Sequence, residues 1–284
     1  MNEGSIFSTF IVVFREALEA GLIIGIILTV LNRLGAKRYF SHVIASSFLA
    51  VSLSYALGLW LSGITDSAKE SWEPVIEGVI SLAACGVLTY MFFWMERQAR
   101  FIKSDIETKM ESALSTKDYL AIVSLPFFAV LREGAETVLF LKAVALQNGG
   151  PVSWLGGILG CGLAVTLSLA IFAGGRKVPL KPLFRTTGIL IILIAAGLLA
   201  YGIHELGEIG WVPEIVKHVY DINPFLNEKK GLGSFLKALF GYNGNPSLTE
   251  VIAYWGYLTV IFIAAKRICG ERGANESPGG AMVK

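Results

Sequence analysis

The chain has 284 residues, of which 54% are hydrophobic and 16% charged, with a formal net charge of +2 and a mean hydropathy of +0.62. Soluble domains carry about 25% charged residues, so this composition excludes a water-soluble enzyme and points to a polytopic helical membrane protein, with membrane lipid as its surroundings and no nucleic-acid partner. The three cysteines, Cys85, Cys161 and Cys269, build no disulfide framework.

Hydropathy predicts seven spans, at about 5–33, 39–63, 75–95, 119–146, 152–174, 183–206 and 248–266, several of them close to the ~20 residues that cross a bilayer. The first apolar run has no basic n-region and is too long for a signal-peptide core, so no cleaved leader is expected. That run, "VVFREALEAGLIIGIILTVL" from Val12 to Leu31, contains Arg15, Glu16 and Glu19. On a helix Glu16 and Glu19 are i,i+3 neighbours and Arg15 and Glu19 are i,i+4 neighbours, so all three share one broad face. The loop after the second span, with the start of the third, carries Asp66, Glu70, Glu73 and Glu77; solvated loop charges explain them better than a cation-gathering site. Residues 98–118 place Ile102, Ile106, Met110 and Leu114 at i,i+4 spacing among charges, the pattern of an amphipathic helix at the membrane surface. The fourth span repeats the first motif with Arg132, Glu133 and Glu136. At the end of the sixth, "HELGE" supplies His204, Glu205 and Glu208, either an outer entry site for a cation or an ordinary polar helix end. Residues 232–240, "LGSFLKALF", read as a short interfacial helix, and the polar stretch 270–284 as a disordered tail. One transmembrane domain is therefore expected over 1–269.

Charge sets the topology. Sixteen Lys and Arg fall on one side: Arg33, Lys37 and Arg38; Arg97, Arg100, Lys103, Lys109 and Lys117; Arg176, Lys177, Lys181 and Arg185; Lys266, Arg267, Arg272 and Lys284. Five fall on the other: Lys69, Lys217, Lys229, Lys230 and Lys237. Positive charge marks the cytoplasmic face, which places the amino terminus outside and the carboxyl terminus in the cytoplasm.

The chain also repeats itself. Phe10-x-x-x-Phe14-Arg15-Glu16-x-x-Glu19 recurs as Phe127-x-x-x-Leu131-Arg132-Glu133-x-x-Glu136. "AVSLS" at Ala50–Ser54 recurs as "AVTLS" at Ala164–Ser168, and Ala84-x-Gly86-x-x-x-Tyr90 as Ala195-x-Gly197-x-x-x-Tyr201. The offsets are 117, 114 and 111 residues, in chain order. This predicts an all-α fold of two three-helix repeats, about 5–97 and 119–208, followed by a lone last helix at about 248–266. An odd number of spans per unit inverts the second copy, the plan of many transporters with a site near the midplane. Gly21-x-x-x-Gly25 and Gly156-x-x-x-Gly160 are expected to let helices approach closely, and Met91, Met95, Tyr90 and Tyr201 to serve packing.

Each charge at the centre of a span costs roughly 2.5–3.5 kcal/mol on insertion scales, so six cost on the order of 18 kcal/mol unpaired. Leucine would satisfy folding alone. An inverted repeat brings the motifs together, with Glu16, Glu19, Glu133 and Glu136 lining one cavity backed by Arg15 and Arg132. Four carboxylates and two guanidiniums leave a net negative, all-oxygen site, which suits a hard cation. The competing reading is two structural ion pairs.

The paired R-E-x-x-E motifs "REALE" and "REGAE" resemble those of the oxidase-dependent iron permeases. "EGVISLAACGVLTYMFFWM" (Glu77–Met95), "FFAVLREGAETVLFL" (Phe127–Leu141) and "FGYNGNPSLTEV" (Phe240–Val251) resemble the bacterial branch. Alanine at Ala17 replaces the glycine common in the first motif. The resemblance covers nearly the whole chain and implies iron import, with ferric iron after extracytoplasmic oxidation as the expected form. It implies Glu16, Glu19, Glu133 and Glu136 as iron ligands, with Arg15 and Arg132 in the same motifs, and bacterial members look similar at His204-Glu205. Iron is then transported substrate, with no permanent cofactor. The implied partners are extracytoplasmic iron-oxidising or iron-delivering proteins: a cupredoxin-containing protein, a haem peroxidase or a multicopper oxidase. Two alternatives stand beside it. One is a permease of the same fold for another cation such as lead or manganese. The other is a membrane di-iron enzyme, which such bundles build with Glu-x-x-His pairs that both motifs lack. No nucleotide-binding loop or large soluble domain is visible, so ATP-driven transport by this chain alone is not expected.

Overall fold

The computed structural model describes residues 3–66, 72–98, 102–174, 180–213, 215–228 and 231–275. Of the positions named above, Lys69, Glu70, Arg100, Arg176, Lys177, Lys229, Lys230 and Lys284 lie outside the described residues, as does the tail beyond 275. The side chains of Asp66, Arg97, Ile102, Lys103, Lys181, Arg185, Cys269 and Arg272 lie outside them too.

The described residues form helices α1 (Glu3–Arg33), α2 (Phe40–Asp66), α3 (Glu73–Gln98), α4 (Ile102–Ser115), α5 (Tyr119–Asn148), α6 (Trp154–Gly174), α7 (Leu180–Glu208), α8 (Gly231–Phe240) and α9 (Leu248–Asn275). Five stretches are long and apolar enough to cross a membrane: Lys37–Thr65, Glu73–Met95, Trp154–Phe172, Thr186–Glu208 and Leu248–Arg267. Their outward faces carry large apolar side chains such as Phe48, Leu169 and Phe262, the surface that lipid rather than water covers. Helices α1 and α5 are longer still, at 31 and 30 residues, and are set apart by their motif charges.

Local chemistry fixes the ends. Asp118 caps α5 by accepting the Ala121 amide at 3.1 Å, and Gly149, at φ 63°, closes it with its own amide on the Ala145 and Leu146 carbonyls, the left-handed stop that glycine adopts without strain. A capping box opens α9: the Glu250 amide reaches Ser247 Oγ at 3.3 Å, and the Ser247 amide returns to Glu250 Oε1 at 3.1 Å. Helix α9 continues past the expected end at 266 to Asn275. Its backbone bonds do not depend on the bilayer, and proline next enters the sequence at Pro278.

Pairing follows a pattern. α1 packs along α6, α2 along α5, and α3 along α7, with α1 also crossing α5. α1 and α6 run parallel, since Gly156 faces Ile6, Gly160 faces Phe10, and Gly21 and Gly25 face Ser168 and Phe172. α2 and α5 also run parallel, with Ser54 against Gly134 and Gly58 against Val138. α3 and α7 are antiparallel, joining Gly78 to Leu206 and Phe92 to Gly188. α1 and α5 are antiparallel too: Asn148 bonds Ser8 at 3.4 Å at one end, and Ile122 packs with Ile27, Val30 and Leu31 at the other. Both small-residue stripes thus serve the α1–α6 contact. A Cβ on Gly160 would stand 2.7 Å from the Phe10 carbonyl oxygen, so the close approach requires glycine.

The two short helices cover opposite ends of the α1–α5 pair. The amphipathic α4 buries Met110 and Ala113 against Ile27, Leu31 and Ile122, and Glu111 ion-pairs with Arg33. At the other end α8 buries Ser234, Ala238 and Leu239 and sets Phe235 against Phe7, the rings tilted at 53° with centroids 5.0 Å apart. The short helix expected at 232–240 is present as α8 and packs against α1 and α7.

Candidate functional site

The crossing of α1 and α5 brings the two motifs face to face. Helix spacing puts Arg15, Glu16 and Glu19 on the side of α1 that meets α5, and all three are buried, at 4%, 1% and 5% exposure. Arg15 donates from Nη1 to Glu16 Oε1 at 2.6 Å, and its Nη2 lies 3.1 Å from Glu19 Oε1. In the second motif Arg132 donates from Nη2 and Nε to Glu133 Oε1 at 2.7 and 3.0 Å, with Nε 3.5 Å from Glu136 Oε1. Each arginine thus holds one edge of a carboxylate pair and leaves the other edge free. Glu16 Oε2, Glu133 Oε2 and Glu136 Oε2 are buried without a hydrogen-bond partner among the described residues. A buried carboxylate oxygen left unpaired is costly.

Glu16, Glu19 and Glu133 each offer an oxygen within 4.8 Å of the other two, the spacing of a metal cage. Glu136 stands beside this group, tied more loosely through Arg132. The chemistry is hard and anionic, and among the described residues no imidazole joins it.

The arrangement is asymmetric. Arg15 is sealed, whereas Arg132 is 41% exposed and its guanidinium carbon lies 4.5 Å above the Trp94 ring of α3. The matched serines differ as well. Ser54 donates to the Ala50 carbonyl at 2.9 Å, whereas Ser168 Oγ, buried against Gly21, has no partner among the described residues.

The end of α7 forms a separate polar group. His204 Nδ1 meets Glu250 Oε1 at 3.0 Å, and Nε2 lies 3.5 Å from Glu208 Oε1. Glu250 is buried and held also by Ser247 and by Asn243 Nδ2 at 2.8 Å. Glu205 turns toward Tyr201, which also bonds Glu77. The structure therefore joins His204 to Glu208 and Glu250, with Glu205 close to both His204 and the Tyr201–Glu77 pair. The repeat-matched tyrosines diverge: Tyr201 faces this cluster, while Tyr90 is 65% exposed. Met91 is core packing, at 2% exposure. Sequence reasoning missed Glu250, although its capping box, "SLTE", is a readable signal. It also missed Trp94, which no local pattern distinguishes.

A helical bundle with lipid-suited outer faces and buried carboxylates belongs to the integral membrane proteins. The chain is a member of the Iron permease FTR1 family, whose model matches residues 6–269. It is similar to the "Ferrous iron permease EfeU" of Yersinia pseudotuberculosis, 34% identical over 256 residues that cover 89% of this chain and 90% of that one. It is also similar to the protein of the same name from Escherichia coli O6:H1, 32% identical over 260 residues covering 91% and 94%. Both family and relatives are named as permeases rather than enzymes. No solved structure matches the chain.

Proposed function

We propose that the chain takes up iron across the cytoplasmic membrane through a site made of Glu16, Glu19, Glu133 and Glu136, with Arg15 and Arg132 holding the carboxylates in place. The observation that carries this is the set of buried, unpaired carboxylate oxygens where α1 crosses α5. Iron is the cargo, and no permanent cofactor enters the reading.

In this reading α1 and α5 cross the membrane with the five apolar helices, giving seven spans. The two three-helix units are inverted repeats. The pairing supports this: exchanging the units turns the parallel α1–α6 contact into the parallel α5–α2 contact and maps the α1–α5 and α3–α7 contacts onto themselves. The amino terminus faces outside and the carboxyl terminus the cytoplasm, so the carboxylates sit at the midplane, α8 on the outer side and α4 on the inner. His204 with Glu208, steadied by Glu250, receives the ion first, and iron-oxidising or iron-delivering proteins outside supply it.

The oxidation state divides two readings. Four hard carboxylates suit ferric iron formed outside, whereas the relatives' printed name carries ferrous iron. Radioactive-iron uptake into proteoliposomes tests both. Saturable uptake of one form, resisting excess manganese and lead, supports the iron reading and names the form. Equal competition by manganese or lead would turn the reading toward a general cation permease.

A further inference from the structure

We propose that Trp94 is a positioning residue for transport: its indole holds the Arg132 guanidinium against the edges of Glu133 and Glu136, so that their free oxygens stay open to the ion. The inference rests on the carboxylate site proposed above.

Arg132 is the more exposed of the two motif arginines, yet it makes more directed contacts. Its edge donates twice to Glu133 Oε1 and its flat face lies 4.5 Å from the Trp94 ring centre. Edge and face are perpendicular, so together they fix the plane and the depth of the fork. Arg15 needs no such holder. It is enclosed by its own surroundings, and among the described residues no aromatic ring lies over it. In the register of the third repeat pair, the residue 111 positions after Trp94 is Glu205, a carboxylate where the other copy has an indole. The aromatic therefore belongs to one side of the site only.

Without the indole, a long cation with two-fifths of its surface open is free to rotate onto Glu133 Oε2 and Glu136 Oε2, the oxygens now unpaired. It would then compete with the incoming ion. A stacked arginine gains about 0.5–2 kcal/mol from its ring, a two- to thirtyfold range in an equilibrium.

The test compares Trp94→Phe and Trp94→Leu with the parent chain in proteoliposomes. Trp94→Leu is expected to raise the iron concentration for half-maximal uptake three- to tenfold with the maximal rate kept, and Trp94→Phe to recover most of that loss. A second readout follows the arginine itself: phenylglyoxal labelling of Arg132, quantified by peptide mass spectrometry, is expected to rise in Trp94→Leu, to fall between in Trp94→Phe, and to leave Arg15 unlabelled in all three. Equal Arg132 labelling in parent and Trp94→Leu chains overturns the proposal, as does an equal loss of maximal rate in both variants, the mark of a spacer between α3 and α5. If labelling shifts as expected while Glu16→Gln still transports iron, the stack stands and the carboxylate site is what has failed.

Discussion

The first and second motifs share an arginine and two glutamates at identical spacing, and their carboxylates meet at one crossing. Their arginines live differently, one at 4% exposure and the other at 41%. Helical side chains lean toward the amino-terminal end of their own helix. Because α1 and α5 are antiparallel, Arg15 and Arg132 lean toward opposite ends of the bundle. At the Arg15 end the chain adds α8 and the packed group of Ile11, Val12, Phe140, Leu198 and Leu239. At the Arg132 end α4 packs Met110 and Ala113 on Ile27, Leu31 and Ile122, and the guanidinium itself is covered by the Trp94 indole. Spacing along one helix thus fixes what the motif is, and the helices around it fix which side is open.

The largest effect should come from the carboxylates. Glu16→Gln and Glu136→Gln are each expected to abolish iron uptake, a loss of more than about a hundredfold, with expression and insertion intact, because removing a central charge eases insertion. Wild-type uptake by both variants would return the motifs to structural ion pairs. If Glu136→Gln alone retained uptake, the three-oxygen group of Glu16, Glu19 and Glu133 would suffice and the copies would be unequal in ligation too.

Next comes the contact that seats α1. Gly160→Ala puts a Cβ 2.7 Å from the Phe10 carbonyl oxygen and 3.0 Å from the Phe14 amide, and backbone cannot rotate aside. The expected cost is about 1–3 kcal/mol of overpacking, seen as a lower melting temperature in detergent and reduced yield. Gly157→Ala, whose Cβ finds only Thr9 at 4.0 Å, should match the parent. Equal melting of the two variants would mean that α1 and α6 separate without cost.

The arginines give a graded comparison. Lysine keeps the charge but loses the planar fork that spans two oxygens. Arg15→Lys, sealed between Glu16 and Glu19, should lower the uptake rate tenfold or more, and Arg132→Lys, half open, only a few-fold. Equal losses would show that exposure in this state does not govern the arginines' roles, and full-rate uptake by both would reduce them to counter-charges.

How much of this could be read from residues alone varies with the range of the interaction. Among the described residues, the five stretches long and apolar enough to cross a membrane lie where hydropathy puts them, because each satisfies its own backbone within one continuous segment. The motif carboxylates were legible because charge inside a span needs an explanation. The glycine stripes were legible as close contacts, but not that both serve α1 and α6, since a stripe does not name its partner. Likewise α8 reads as interfacial in sequence: its apolar face is visible, whereas its seat on Phe7 and Gly4 depends on α1. Trp94 is one of six tryptophans, and only the α3–α5 contact selects it. Glu205 was grouped with His204 by adjacency; that it also interacts with Tyr201 depends on the placement of a residue one turn away and is not visible in the adjacency itself.

The smallest effect is expected at the His204 group, which the proposed topology puts at the outer end of the bundle. Glu250 takes a hydrogen bond at His204 Nδ1, which leaves Nε2 as the free ligand atom toward Glu208; a carboxylate behind an imidazole orients metal-binding histidines in this way. His204→Ala should therefore raise the iron concentration for half-maximal uptake two- to fivefold and leave the maximal rate unchanged, since the carboxylates at the α1–α5 crossing are untouched. Glu208→Gln should do the same through the neighbouring oxygen. Glu250→Gln differs, because it also removes the charged half of the α9 capping box, so it should lower the melting temperature while His204→Ala does not. An unchanged uptake curve in His204→Ala and Glu208→Gln, with melting lowered in both, would make this group an ordinary helix end and leave the carboxylates at the crossing as the first site the ion meets.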